Sequence, residues 1–417
     1  MSRLLIKGGN PLSGEVTVKA AKNAVLPILA ATLLTEEECV IEDVPKITDI
    51  ANMMTIMRSL GSAIDIGEEC ISVKNKELSS YSVPAEPAKE LRSSFFLLGP
   101  LLGRMRRAVV SYPGGCDIGV RPLDIHIKGL REMGIAIEES HGKIYCDGRR
   151  LKGADIVLDF PSVGATENLM MAAALAKGRT RITNAAKEPE IRDLQGFINA
   201  MGGKVSGAGS DKIVIEGVEK LHACRYKPIP DRIVAGTLLI AGAVCGGRLL
   251  LKNVVPEHLD PLLFKINKST CVLSVQSDKI SIVAQGRTRG FDKLETQPYP
   301  GFPTDLQSQM MVMMSVSEGT SVIVENIFET RFRIVRELTK MGAMITVKDR
   351  TAVIRGVNGL EGASVSAADL RGGAALVIAG AKADGFTTIE NVKYIDRGYE
   401  CIENLFGELG AEIKRLG

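Results

Sequence analysis

A helix that ends on a Met-Gly or Leu-Gly turn and runs straight into a strand recurs along this chain. No other feature constrains the fold as much. The copies read MRSLGSAIDI from Met57, LREMGIAIEE from Leu130, INAMGGKVSG from Ile198, LTKMGAMITV from Leu338 and GELGAEIKRL from Gly407. A worn copy, INKSTCVLSV from Ile266, lacks the turn glycine. Gly61, Gly134, Gly202, Gly342 and Gly410 stand where a helix ends in the left-handed conformation, which glycine adopts without steric cost. Strand-like segments such as GRTRITNAA (from Gly178), GTSVIVENI (from Gly319) and GFTTIENVK (from Gly385) precede these helices. Further strands follow each turn, among them ISVKNKEL, IVIEGVEKL and AVIRGVNGL. The period is about 70 residues, so the 417 residues hold six mixed α/β units.

The sixth unit stops at Leu416, one strand short. LLIKGGNPLSGEV, from Leu4, matches AVIRGVNGLEGASV, from Ala352, in pattern and glycine placement, so the N-terminal segment is expected to supply the missing strand. The expected architecture is an α/β fold of two lobes with three repeats each, the chain crossing between them near residues 21 and 230. One lobe then spans 22–229. The other combines 1–21 with 230–417 and is closed by the N-terminal strand.

Composition narrows the function classes. With 52 basic and 49 acidic residues the net charge is only +3, too little for a nucleic-acid footprint. Aromatic residues are 4% with no Trp, against a base-stacking binder. The basic cluster Arg104-Met-Arg106-Arg107 reads as a solvated turn. Eight cysteines form no C-x-x-C pair, which excludes a spacing-defined zinc or thioredoxin-type site and fits a reducing cytoplasm. The apolar stretches Ala24–Leu34 and Ile233–Gly247 are too short to span a membrane and read as buried helices. The four histidines form no ligand cluster; only His126 lies beside a motif of interest.

Six helix starts carry unusual residues: Lys22-Asn23, Arg92-Ser93, Ser162-Val-Gly164, Asp231-Arg232, Thr304-Asp305 and Asp369-Leu-Arg371. Ser, Thr, Asn and Asp serve there as N-caps, each worth ~1 kcal/mol. Lys22, Arg92, Arg232 and Arg371 do not fit that role. A cation at a helix N-terminus opposes the helix dipole at a cost of ~0.3–1 kcal/mol unless an anion sits beside it. Four such starts point to a common anionic ligand. Separately, Pro113, Gly114, Gly115 and Gly119 make the stretch around Cys116 a loop, five residues before Arg121. The other seven cysteines read as small buried hydrophobes. Guanidinium groups nearby would bring the Cys116 thiol below the ~8.5 of a free cysteine.

PGGCDIGVRPLDIH, with VKAAKNAVLPILA, FPTDLQSQ, ADLRGGAALVIAG and YIDRGYE, resembles the bacterial UDP-N-acetylglucosamine enolpyruvyl transferases from Leu4 to Leu416. The resemblance implies two lobes, each an inside-out α/β barrel of three repeats. The implied reaction moves the enolpyruvyl group of phosphoenolpyruvate to the 3′-hydroxyl of UDP-N-acetylglucosamine, releases phosphate and commits the sugar to peptidoglycan. By the same resemblance Cys116 donates a proton to the methylene carbon and is the residue that the epoxide fosfomycin alkylates. Asp305 takes or orients the hydroxyl proton, and Asp369 with Arg371 forms a further active-site pair. Lys22, Arg121 and Arg397 meet the carboxylate and phosphate of phosphoenolpyruvate, with Asn23 beside Lys22. Arg92, Arg121, Pro122, Leu123, Asp124, Ile125, Ser162, Val163, Gly164 and Ile327 fall where the nucleotide sugar is held. Glu329 and Arg331 follow Ile327 as support. Phe160 stands where some members have a lysine that meets the diphosphate. No metal or organic cofactor is implied, because the substrate carries the activated group; nor is an obligate protein partner.

Overall fold

The computed structural model describes residues 2–112 and 123–417. Cys116, Arg121 and Pro122 lie outside the described residues. Two compact units form, residues 2–19 with 230–417, and residues 20–112 with 123–229.

Among the described residues there are six sheets with one shared strand order. The fifth repeat shows it: Leu294–Glu295, Thr320–Val324, Thr351–Arg355 and Met344–Lys348 stand in that order. The first pair is parallel and the other two are antiparallel. In the second repeat the parallel strand shrinks to a bridge between Ser82 and Val109. In the sixth, Arg3–Lys7 lies between Phe386–Glu390 and Glu412–Leu416, with Leu4 opposite Ile389 and Arg415. Leu12–Thr17 then runs parallel to Gly247–Lys252, linking the sixth repeat to the fourth. In the other unit Cys224–Tyr226 runs parallel to Cys39–Glu42, linking the third repeat to the first. Each unit is thus a closed ring of three repeats.

The strands alternate buried and outward positions, so one face of each sheet packs on helices. The helices inside are buried all round, which is why their sequences show almost no polar face. Every residue of helix Gln307–Val316 is buried. It packs on helices Arg232–Cys245 and Leu370–Lys382, which also pack on each other. In the other unit helix Leu98–Met105 meets helix Val163–Ala174 so closely that a Cβ at Gly99 would stand 2.4 Å from the Asn168 carbonyl oxygen. Helices inside and sheets outside make each unit an inside-out α/β barrel.

The turn glycines adopt the expected backbone, with φ of 105° at Gly61, 82° at Gly134, 91° at Gly202, 90° at Gly342 and 95° at Gly410. The worn repeat keeps its helix–turn–strand path without one. There the Ser269 hydroxyl donates to the Ile266 carbonyl at 2.6 Å and accepts from the Cys271 amide at 3.2 Å. Both apolar stretches are buried helices, and no described helix is long and apolar enough to cross a membrane.

Two readings need correction. The Arg104 cluster is no solvated turn. Arg104 donates to the carbonyls of Leu33, Thr35 and Asn75, and Arg106 to that of Leu175, so these two guanidiniums bind backbone of the first and third repeats, and of the three arginines only Arg107 is exposed. Nor are the described cysteines uniformly buried: Cys401 is exposed, at a φ of 41° before helix Ile402–Glu408.

Candidate functional site

The helix starts singled out by sequence divide into caps and charges. Ser162 accepts from the Ala165 amide at 3.4 Å. Asp231 accepts from Ile233 and Val234 at 2.8 and 3.0 Å. Asp369 accepts from Arg371 and Gly372, both at 3.0 Å. These are N-cap bonds, and they fix the first turns of helices Val163–Ala174, Arg232–Cys245 and Leu370–Lys382.

Asp305, on the turn Thr304–Leu306, does something else. Its Oδ1 accepts from Arg331 Nη2 at 2.5 Å and its Oδ2 from Arg371 Nη2 at 2.9 Å. Arg331 Nη1 also lies 3.7 Å from Asp369 Oδ1. The two guanidiniums are almost fully buried, at 2% and 4% side-chain exposure, while the Asp305 side chain keeps 25%. One carboxylate is therefore clamped from behind by two cations and left partly open in front. Arg331 Nε also donates to the Thr304 hydroxyl at 3.3 Å, and Thr304 donates to the buried Glu325 at 3.0 Å. Glu325 accepts from the amides of Ile327 and Phe328 as well, which holds the backbone that delivers Arg331. Burial works against the Arg371 cation, but Asp305, Tyr399 and Asp231 outweigh it and hold its pKa above the ordinary arginine value. The Tyr399 hydroxyl pairs with Thr237 at 2.8 Å, and Gln309 donates to the same Thr237 at 3.1 Å. Arg397 is half-buried in the turn just before Tyr399. Glu329 stays outside this cluster, on an exposed pair with Arg350 at 3.4 Å.

In the other unit Lys22 opens helix Lys22–Ala31, and its ammonium lies 3.0 Å from the buried Asp49. Asp49 sits in the first turn of helix Thr48–Ser59, 27 residues away, where sequence gave no sign of it. Asn23 is half-buried beside Lys22. The anion expected beside cationic helix starts is thus supplied in part by the protein, as Asp49 for Lys22 and Asp305 for Arg371. Leu123, Asp124 and Ile125 lead into helix Asp124–Glu132, with Asp124 exposed.

His126 is a core residue in that helix. Its ring meets Phe95 edge-on at 4.9 Å and its Nδ1 lies 3.2 Å from Asn168 Nδ2. A Cβ at Gly164 would stand 3.3 Å from the imidazole Cε1, so a larger residue there would press on the ring. Burial, with Arg92 adding, pushes the His126 pKa down to about 3. The folded chain keeps His126 neutral while the unfolded chain protonates it below ~6.5, so stability drains away as pH falls from there towards 3. His126→Leu should remove one proton from that dependence, flattening the slope by ~1.4 kcal/mol per pH unit between pH 6 and 4 in urea titrations. An unchanged slope would mean that His126 does not titrate as its surroundings require.

Comparison with known proteins is decisive at this point. The chain matches the EPSP synthase (3-phosphoshikimate 1-carboxyvinyltransferase) family over residues 6–406. It is 50% identical over 416 residues to UDP-N-acetylglucosamine 1-carboxyvinyltransferase 2 of Caldanaerobacter subterraneus subsp. tengcongensis, covering 100% of both chains. With the UDP-N-acetylglucosamine 1-carboxyvinyltransferase of Thermotoga maritima it shares 49% over 416 residues, covering 99% of each.

The chain belongs to this family of carboxyvinyltransferases.

Solved structures agree on the fold. The enolpyruvyl transferase NikO from Streptomyces tendae matches with a TM-score of 0.89 at 23% identity, covering 99% of this chain and 98% of that one. The EPSP synthase from Acinetobacter baumannii matches with a TM-score of 0.75 at 18% identity, covering 100% of each. The geometry also brings in residues not singled out from the sequence: Asp49 on Lys22, Glu325 on Thr304, and Tyr399 on Thr237. Glu325 and Tyr399 lay in quoted segments without being singled out, whereas Asp49 had no local pattern to announce it.

Proposed function

We propose that this protein transfers the enolpyruvyl group of phosphoenolpyruvate to the 3′-hydroxyl of UDP-N-acetylglucosamine, with loss of phosphate, in the cytoplasm as the first committed step of peptidoglycan synthesis. The observation that carries this reading is identity near one half, end to end, with relatives bearing that name. The clamped Asp305 supports it. Two buried guanidiniums fix the carboxylate in place, so it is positioned to accept and orient a hydroxyl proton at the moment the oxygen attacks. Asp369 caps the helix that delivers Arg371 and lends charge to Arg331. Cys116 is assigned the proton that goes to the methylene carbon, giving the tetrahedral adduct. Lys22, Arg121 and Arg397 are assigned the carboxylate and phosphate, where oriented cations stabilise charge that grows as phosphate departs. Arg92, Leu123, Asp124, Ile125, Ser162 and Ile327 are assigned to the sugar nucleotide.

The test is phosphate release on mixing the protein with both substrates. Release should require UDP-N-acetylglucosamine and should not occur with shikimate 3-phosphate as the acceptor. Release with the shikimate ester alone would transfer the reading to the sister activity. Arg397→Ala should raise the phosphoenolpyruvate KM roughly ten- to hundredfold, as loss of a ~1.5–3 kcal/mol charge-assisted contact requires. The sugar nucleotide KM should barely move. Equal effects on both would remove Arg397 from the phosphoenolpyruvate end.

A further inference from the structure

Cys39 and Cys224 are 185 residues apart in sequence and face each other in the structure. Strands Cys39–Glu42 and Cys224–Tyr226 run parallel with Cys39 directly opposite Cys224. Neighbouring strands stand ~4.8 Å apart, inside the ~4.4–6.8 Å that a disulfide needs between Cα atoms. Paired positions on parallel strands put both side chains on one face of the sheet, and Cys39 Sγ lies 3.9 Å from Met201 Sδ. Cys39 is fully buried whereas Cys224 is half-buried. We propose that this pair is a modification site: a small organic disulfide entering at Cys224 converts Cys39 and Cys224 into an intramolecular disulfide.

The exchange takes two displacements. Cys224 gives its proton to water and its sulfur attacks one sulfur of R–S–S–R, the small disulfide breaks, and R–S⁻ leaves and is protonated by water. Cys39 then gives up its proton and attacks the Cys224 sulfur, breaking the mixed disulfide and releasing the second R–S⁻. The cysteine pair loses two electrons and two protons, and one R–S–S–R becomes two R–SH. The second attack requires the thiolate form at Cys39. Glu37 and Glu38 oppose this by repulsion, and the same carboxylates favour a cationic oxidant over an anionic one.

The position gives the bond a mechanical consequence. Cys224–Tyr226 is a three-residue edge strand, and its pairing with Cys39–Glu42 joins the third repeat of this unit to the first. A disulfide there would turn a short run of backbone pairing into a covalent ring closure across a long loop, the geometry in which a cross-link restricts the unfolded chain most.

Cystamine, a small dicationic disulfide, is the probe. Treated full-length protein, digested without reductant, should yield a peptide linking Cys39 to Cys224. Its midpoint in urea should rise, and fall back on adding dithiothreitol. Cys224→Ser should lose both the linked peptide and the rise, whatever cystamine does at Cys116 or Cys401. A stable cysteamine adduct on Cys224 with no linked peptide would overturn the proposal, as would a linked peptide through another cysteine. A linked peptide with no change in urea midpoint would overturn the ring-closure consequence.

Discussion

Asp305→Asn should lose at least a hundredfold in turnover and also make the protein measurably easier to unfold. The two effects have separate origins. The carboxylate is the shared counter-ion of Arg331 and Arg371, and neither guanidinium can turn to solvent at 2% and 4% exposure. Removing one partner of a buried pair typically costs ~3–5 kcal/mol, because the remaining charge stays desolvated. Arg331 retains Asp369 at 3.7 Å, and Asp305 is itself 25% exposed, so a loss near ~3 kcal/mol in urea unfolding is expected. The loss of turnover comes from the face the guanidiniums do not cover, where an amide cannot take a hydroxyl proton; general-base catalysis is worth ~10²–10⁴-fold. Asp369→Asn is the control. Asparagine caps helices as well as aspartate does, so the bonds to Arg371 and Gly372 can survive, and only the longer contact to Arg331 weakens. Its stability should fall by less than that of Asp305→Asn, because Arg331 keeps its shorter bond to Asp305. If Asp305→Asn turns over like the parent, the carboxylate has no part in moving the proton and serves only to neutralise two arginines.

What could be read from sequence and what could not divide along a physical line. A repeated turn leaves a repeated glycine, because only glycine reaches a φ near 90° without strain, so the six-unit period was visible wherever that turn was kept. LLIKGGNPLSGEV resembles AVIRGVNGLEGASV because Arg3–Lys7 and Thr351–Arg355 occupy the same place in their sheets, antiparallel to a neighbour on each side. Where Thr270 replaced the turn glycine and Ser269 bonded the turn, the fold persisted while its signature vanished. N-caps were legible for the same local reason, since the side chain bonds an amide two or three residues on. Ion partners were not. Asp49 reaches Lys22, and Arg371 reaches Asp305, only after three-dimensional closure, and charge alone does not say whether a cation at a helix start awaits a ligand or already faces a carboxylate. His126 stood out in sequence only for lying beside a motif, and the inner packing against Phe95 and Asn168 makes it a neutral core group.

Cys116 lies outside the described residues, so its assignment rests on the loop motif and on the family, and chemistry must decide it. The two jobs proposed for it, acid and reactive nucleophile, respond differently to substitution. Cys116→Asp keeps a short acidic side chain on the same loop but removes the soft sulfur that opens an epoxide. That variant should retain measurable enolpyruvyl transfer and become insensitive to fosfomycin. Its pH optimum should move down, because a carboxyl titrates near ~4 and a free thiol near ~8.5, so the protonated donor is lost at a lower pH. Cys116→Ser should lose product turnover altogether, since a hydroxyl is too weak an acid to protonate carbon on the catalytic timescale. The pair of variants separates the roles because neither changes the cations assigned to the substrate's anionic groups. Binding of phosphoenolpyruvate should therefore persist in Cys116→Ser, measurable by calorimetry in the presence of the sugar nucleotide. A Cys116→Asp protein that is still inactivated by the epoxide would place the alkylated nucleophile elsewhere. A fully active Cys116→Ser protein would place the proton donor elsewhere, because serine cannot supply the proton whose transfer to the methylene carbon creates the tetrahedral adduct.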